Sequence, residues 1–86
     1  MRSAFYLALQ VADRPGVLAA VAKVFGDHGV SIRTMEQLGL DDDARLVFLT
    51  HVASEADLAA TVRGLAALDA VNEVGAVLRV VEGSSP

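Results

Sequence analysis

The chain has 86 residues, which is enough for one domain, and a domain of this size buries only about 60 to 65% of the surface that its unfolded form exposes. Hydrophobic residues make up 53% of the sequence. This is more than a small soluble monomer needs, and it predicts a homodimer or higher homo-oligomer. The formal net charge is −4 and the seven Lys and Arg residues are scattered, so nucleic acids and anionic membranes are not expected partners.

Cysteine usage and the first twenty residues bear on the cellular compartment. The sequence contains no cysteine, which rules out disulfides, thiolate metal sites and a cysteine nucleophile. No apolar run approaches the roughly 18 residues of a membrane span. Residues 1–20 lack the basic start and continuous apolar block of a signal peptide. We therefore expect a cytoplasmic protein.

The first half of the chain predicts a strand, a helix and a second strand. Apolar side chains alternate from Phe5 to Val11, which is typical of a strand with one face inward. Helical spacing then predicts a helix over residues 15–28, with Gly29 at its C-terminal end. A second strand is expected from Val30 to about residue 38.

A hairpin, a central strand and a second helix are predicted next. Residues 39–43 contain turn formers and charge, which indicates the hairpin loop. The apolar run from Leu46 to Leu49 predicts a strand over about 44–52 that is covered on both faces. Ser54 begins a capping-box pattern, and helical spacing then predicts a helix over 55–68.

A last strand over residues 71–80 completes the order β-α-β-β-α-β. Leu18-Ala19-Ala20 and Leu58-Ala59-Ala60 form a weak internal repeat that supports two related halves. Two right-handed β-α-β units joined by a hairpin predict an α+β, ferredoxin-like fold: a four-stranded antiparallel sheet with two helices on one face. We assign residues 1–82 to this domain and expect a disordered polar tail at 83–86. The bare sheet face is expected to meet a second copy or a neighbouring domain.

The stretch from Asp13 to Leu18 is a candidate ligand site. Pro15 is expected at the first helical position, where its missing N–H costs nothing, and Gly16 allows a ligand to approach closely. The amides of Gly16, Val17 and Leu18 are expected at the helix start, where an anion is favoured. With the Asp13 carboxylate beside them, they complement a free amino acid. The same pattern also begins ordinary helices.

Two motifs at this spacing resemble the signature of ACT domains. Asp13-Arg14-Pro15-Gly16-Val17-Leu18 is followed, after one helix containing Phe25, by Gly29-Val30-Ser31-Ile32. More narrowly, the sequence resembles the carboxy-terminal ACT module of bacterial homoserine dehydrogenases in Gln37, Leu46-Val47-Phe48-Leu49-Thr50-His51 and Val77-Leu78-Arg79-Val80. The resemblance covers residues 4–82. It implies a regulatory module that pairs with another copy, side by side or through its sheet, and binds amino acids at the interface.

The resemblance also implies which positions meet the effector. Asp13 and Gly16 match the turn that contacts it, residues 30–32 match the facing strand, and Gln37 matches a glutamine that aspartokinase modules use for threonine. Many effector-binding relatives carry asparagine at or just before the turn, where this chain has Ala12-Asp13-Arg14. The expected ligand-binding residues are Asp13, Arg14, Gly16, Val17, Leu18, Val30, Ser31, Ile32 and Gln37.

Other candidate sites are weaker. The acidic run Asp41-Asp42-Asp43 has no fourth oxygen ligand at calcium-loop spacing, and His28 and His51 have no partner at ligand spacing. We therefore expect no metal and no cofactor. The chain shows no catalytic triad, paired carboxylates or phosphate loop. Small hydrolases such as acylphosphatases share the fold, but the only asparagine, Asn72, lies beyond the second predicted helix.

These observations predict a regulatory module that catalyses no reaction by itself. The resemblance implies a catalytic domain upstream in a parent chain, an NAD(P)-dependent homoserine dehydrogenase, and threonine or a related amino acid as effector. Two alternatives remain open. One is a ligand-free oligomerisation module whose apolar sheet face is its whole function, and the other is a stand-alone ACT protein.

Overall fold

A computed structural model describes residues 2–40 and 42–80 of the chain. The predicted element order is confirmed, with one short strand added. The predicted tail at 83–86 lies outside the described residues. In chain order the elements are β1 (Arg2–Ala12), α1 (Val17–Asp27), β2 (Ile32–Leu40), β3 (Asp43–Thr50), β4 (Ala53–Ser54), α2 (Glu55–Ala66) and β5 (Val71–Val80).

The strands form one antiparallel sheet with β1 in the centre. On one side β1 pairs with β3, where Tyr6 lies opposite Leu49. On the other side it pairs with β5, where Tyr6 lies opposite Leu78. β2 pairs with β3, so β2 and β5 are the outer strands of the described sheet. The predicted antiparallel ferredoxin-like sheet is confirmed.

The sheet has five strands where four were predicted. The additional strand, β4, pairs with Arg2 and Ser3 and continues the line of β3 along β1. Between β3 and β4 the regular pairing stops, and the amide of Phe5 donates to the Thr50 hydroxyl at 3.0 Å. Two residues are too few for an alternating pattern, and Ser54 also caps α2. For these reasons the sequence did not reveal this strand.

The bounds of α1 differ from the prediction at its N-terminus. The helix begins at Val17, and Pro15 lies in the preceding turn instead of at the first helical position. Gly16 takes the cap position with φ 86°, in the left-handed region that favours glycine. At the other end Gly29 has φ 72°, and the amide of Val30 donates to the Phe25 carbonyl at 2.9 Å. The predicted end at Gly29 is confirmed.

The hairpin between β2 and β3 is tighter than predicted. Gly39 pairs with Ala44 and Leu40 with Asp43, so three of the five residues assigned to the loop (Gly39, Leu40 and Asp43) belong to the paired strands. β3 ends at Thr50 and α2 ends at Ala66, each two residues before the predicted end. The predicted cap of α2 is confirmed, because the Ser54 hydroxyl accepts a hydrogen bond from the Asp57 amide at 3.0 Å.

Both helices pack on the same face of the sheet and share one core with it. The rings of Phe25 and Phe48 lie 4.9 Å apart and tilted by 42° at its centre. Gly64 lets the helices approach closely, since a Cβ there would lie 2.8 Å from Val24 Cγ1. Neither helix of the described part has the length or apolar run needed to cross a lipid bilayer. The large, fully buried side chains are Phe25, Phe48, Leu7, Leu9, Leu46, Leu65, Val11, Val21, Thr50 and Thr61.

Candidate functional site

A hollow of about 380 Å³ opens beside the turn between β1 and α1. The turn residues form its wall, buried Leu46 of β3 lies at its base, and exposed Gln37 of β2 lies at its edge. Its volume is in the range of small-molecule sites. The lining residues are Val11, Ala12, Asp13, Arg14, Pro15, Gly16, Val17, Leu18, Gln37, Ala44 and Leu46.

Backbone hydrogen bonds hold the turn against two neighbouring loops. The amide of Asp13 donates to the Asp42 carbonyl at 3.2 Å, and the amide of Ala12 donates to the Ala70 carbonyl at 2.8 Å. Arg14 Nη2 also lies 3.5 Å from Asp69 Oδ2. Both of those side chains are exposed, so this ion pair adds little stability. The turn therefore owes its position to the backbone bonds.

The start of α1 offers fewer amide donors than the sequence predicts. The amide of Val17 donates to the Arg14 carbonyl at 3.4 Å and closes the turn. The Gly16 carbonyl accepts the first helical bond, from Ala20 at 3.0 Å. Because the first residues of any helix lack a helical acceptor, the amide of Leu18 remains as a donor beside the hollow. An anion placed there also gains from the helix dipole.

Two polar side chains at the hollow are available to a ligand. Asp13 and Gln37 are both exposed. Within the described residues, neither side chain makes a hydrogen bond or ion pair. A carboxylate suits an ammonium group, and a side-chain amide both donates and accepts. The hollow thus combines an amide-lined helix start with a free carboxylate and a free amide.

Residues 30–32, which were predicted to bind the ligand, lie away from this hollow. Val30 is buried in the core, and the Ser31 carbonyl accepts a hydrogen bond from the His51 amide at 2.9 Å. Ile32 and Gln37 are five positions apart in β2, which corresponds to about 17 Å along the strand. One chain therefore brings together Asp13, Arg14, Gly16, Val17, Leu18 and Gln37, but not Val30, Ser31 and Ile32.

Ala44 and Leu46 line the hollow but were not among the predicted site residues. Leu46 lies opposite Gln37 in the β2–β3 ladder. The sequence could have indicated this position of Leu46 if the pairing of β2 with β3 had been counted residue by residue from the hairpin. Ala44 similarly lies opposite Gly39.

The acidic run and the histidines serve local contacts. Asp43 Oδ2 accepts a hydrogen bond from Gln10 Nε2 at 3.2 Å, and Asp41 lies outside the described residues. His28 is the C-terminal cap of α1 and lies beside Gly64, and His51 is exposed. In residues 2–40 and 42–80, no three His, Asp or Glu side chains are grouped so as to hold a metal ion.

Comparisons with known proteins agree with the fold. The family model of the ACT domain matches residues 5–70. Homoserine dehydrogenase of Corynebacterium glutamicum is 45% identical over 76 residues, covering 88% of this chain and 17% of the relative. The Mycobacterium leprae enzyme is 46% identical over 87 residues, covering 94% and 20%.

A solved homoserine dehydrogenase structure is also similar to this chain. The homoserine dehydrogenase of Thiobacillus denitrificans superposes with a TM-score of 0.78 at 38% identity, over 93% of this chain and 17% of that one. This chain therefore spans about a fifth of the length of each of these relatives.

Proposed function

Because the chain belongs to the ACT domain family, we propose that it is the C-terminal regulatory module of a homoserine dehydrogenase and senses threonine or a related amino acid. In this proposal the module catalyses no reaction, and it acts in the cytoplasm on a catalytic domain upstream in the same protein. The similarity to homoserine dehydrogenases over some nine-tenths of the chain supports this assignment.

The hollow beside the β1–α1 turn is the observation that carries the proposal. An amino acid presents a carboxylate and an ammonium group a few atoms apart. The Leu18 amide at the start of α1 suits the carboxylate, and the free Asp13 carboxylate suits the ammonium group. Gln37 is positioned for a polar effector side chain such as a hydroxyl.

A second copy would complete this site. A two-fold axis perpendicular to the sheet beside β2 pairs the two β2 strands antiparallel. That arrangement reverses the direction of one strand relative to the other. It brings Ile32 of the partner subunit toward the Gln37 end of the first copy, where the turn lies. Residues 30–32 could then contribute to the hollow of the neighbouring molecule, as the resemblance implies.

Binding at such a site can regulate an attached enzyme. An effector shifts an equilibrium between two arrangements only by its difference in affinity for them, typically about 1 to 3 kcal/mol. An effector that bridges two modules has this property, because it favours the paired arrangement.

One observation favours the ligand-free alternative. The turn reads Ala12-Asp13-Arg14, so it presents no side-chain amide of its own. Among the described residues that line the hollow, Gln37 has the only side-chain amide. In this alternative the module holds subunits together without an effector. The stand-alone alternative differs only in the absence of an upstream catalytic domain, and the sequence preceding Met1 in the gene distinguishes it.

Isothermal titration with threonine, isoleucine, lysine, methionine, serine and the aromatic amino acids tests the proposal. We expect saturable binding of one of them, and about a 10- to 100-fold loss of affinity in Asp13→Ala, because a charge-assisted contact contributes roughly 1.5 to 3 kcal/mol. Gln37→Ala is expected to weaken binding as well.

The matched control is Asp27→Ala, which removes an exposed carboxylate at the opposite end of α1. We expect it to bind like the unaltered chain. No heat from any amino acid, with the oligomer intact, would reject sensing and leave the ligand-free module.

A further inference from the structure

The sheet face opposite the helices carries an ordered pattern of outward side chains. On β1 the outward positions include Tyr6 and Gln10, since Phe5, Leu7 and Leu9 are buried against the helices. Each outward residue lies between one residue of β3 and one of β5. Tyr6 lies between Leu49 and Leu78, and Gln10 lies between Arg45 and Glu73. We call these the Tyr6 row and the Gln10 row.

The Tyr6 row is apolar and open to solvent. Leu78 is 56% exposed, and Leu49 and Tyr6 are half-buried by their neighbours in the sheet. Val47 and Val80 extend this apolar surface along β3 and β5. Such a surface on a chain with 53% hydrophobic residues is typical of a contact with another protein.

The Gln10 row carries one charge of each sign. Arg45 and Glu73 lie on opposite sides of β1 at the same level. Both are exposed, and neither makes an ion pair with another described residue. Arg45 and Glu73 are therefore separated by one strand, and the Asp43 carboxylate lies on the same face, where it accepts a hydrogen bond from Gln10 Nε2 at 3.2 Å.

A hollow of about 290 Å³ opens beside the Gln10 row, whose three residues line it together with Ala8 and with Gly75 and Ala76 at a bulge in β5. Val77 pairs with Leu7 and Val74 pairs with Leu9, so Gly75 and Ala76 together lie opposite Ala8. A Cβ on Gly75 would come within 3.3 Å of the Ala8 carbonyl oxygen. Across β1 at this level, Val47 pairs with Ala8 and has a larger, half-buried side chain. One side of the face thus has a projection where the other has a depression.

We propose that this face is the interface between two copies of the chain, related by a two-fold axis that runs along β1 over Tyr6 and Gln10. A rotation about this axis exchanges the β3 side with the β5 side and keeps the level along the strand. Arg45 then faces Glu73 of the partner subunit, and Glu73 faces Arg45 of the partner subunit. Val47 fits the hollow of the other copy, and Leu49 meets Leu78 of the partner subunit.

The geometry agrees with known sheet packing. Sheets pack face to face about 10 Å apart with strands within about 30° of each other, a gap that an Arg and a Glu side chain can span. The three strands over about nine residues cover roughly 14 by 30 Å, or about 400 Å² of flat surface per copy. The total of about 800 Å² is smaller than that of stable specific interfaces, so we expect a weak dimer with a dissociation constant of tens of micromolar or above.

This face is separate from the β2 edge and from the β1–α1 turn, so the inference is independent of the proposed amino-acid sensing. Asp13, Gln37 and residues 30–32 take no part in it. A variant that abolishes face pairing therefore keeps its amino-acid hollow. Effector titration of that variant tells the two proposals apart.

Charge reversal followed by sedimentation equilibrium of the 86-residue chain tests the interface. Arg45→Glu and Glu73→Arg each replace two attractive contacts per dimer by two repulsive ones, and we expect each to raise the dissociation constant at least tenfold. The double variant again places opposite charges face to face, with their positions exchanged. We expect its dissociation constant to lie within about threefold of that of the unaltered chain. The matched control is Arg63→Glu, which makes the same charge change at an exposed position on α2.

The inference is overturned if single reversals behave like Arg63→Glu, if the double variant is not restored, or if the unaltered chain remains monomeric at hundreds of micromolar. Circular dichroism of each variant shows whether it has folded. Ala76→Leu fills the hollow without changing the number of charges on the face, and it is also expected to weaken the dimer.

Cross-linking provides a second measurement in a chain without cysteine. Tyr6→Cys lies on the proposed axis, and a short bismaleimide is expected to link it to its copy. Met35→Cys lies on the β2 edge and reports pairing there. Cross-linking at position 35 with none at position 6 would exclude the face contact.

Discussion

Thr50 and Thr61 are both completely buried, but their hydroxyl groups have different roles. Thr50 Oγ1 accepts a hydrogen bond from the Phe5 amide at 3.0 Å, where the β3 and β4 pairing is interrupted. Thr61 Oγ1 donates to the Asp57 carbonyl at 2.8 Å. That carbonyl lies four residues earlier in α2, so it also accepts a helical hydrogen bond from the Thr61 amide.

The substitution Thr→Val therefore has different consequences at the two positions. Thr50→Val leaves the buried Phe5 amide without an acceptor, which costs about 1 to 3 kcal/mol. The methyl group that replaces the hydroxyl recovers about 0.8 kcal/mol through burial. The difference between these two terms is a net loss of about 0.2 to 2 kcal/mol. Thr61→Val removes only the donor and leaves its carbonyl acceptor bonded, so we expect a change between zero and about 1 kcal/mol of added stability.

Urea unfolding followed by circular dichroism measures both free energies of unfolding. The protein concentration must be the same for each variant, because self-association would contribute to the apparent stability. An unchanged slope against urea shows that the compactness of the unfolded state is unaltered. Equal stabilities for Thr50→Val and Thr61→Val, within about 0.5 kcal/mol, would refute the assigned role of the Thr50 hydroxyl.

Glycine substitutions give two further predictions. Gly16→Ala places a side chain at φ 86°, and apart from the two neighbouring residues of the chain no atom lies within 4 Å of the new Cβ. We therefore expect a loss of about 1 to 2 kcal/mol from backbone strain alone. Gly26→Ala, inside α1 and equally open, should instead add about 0.5 to 1 kcal/mol; thermal unfolding showing the same sign for both would contradict this. Gly64→Ala should destabilise the fold, because the new Cβ would lie 2.8 Å from Val24 Cγ1. In a Val24→Ala background, where that atom is gone, the same substitution should stabilise the fold. A double-mutant cycle measures this difference.

Periodicity in the sequence was sufficient to predict most of the fold. Alternation in β1 and helical spacing in both helices follow from which side chains face the core, and the core decides the fold. The start of α1 was predicted wrongly because Pro15-Gly16 fits two geometries. Proline can occupy the first position of a helix or lie in the turn before it. Only the left-handed conformation of Gly16 shows which of these two arrangements is present.

The candidate site was predictable in part. The turn residues are adjacent in sequence, so their proximity required no tertiary information, and Gln37 joined them through the resemblance. Placing Ala44 and Leu46 beside them required the β2–β3 register, which the overlong predicted loop obscured. Whether residues 30–32 belong to the site depends on contacts between molecules, which the spacing within one chain does not determine.

The pairing of Ala4 with Val80 places the beginning of β1 next to the finish of β5. This meeting point is at the far end of the sheet from the Asp13 turn, roughly 30 Å away along β1. A larger protein that includes this domain can therefore connect to it at one corner, without crowding the hollow at the opposite end.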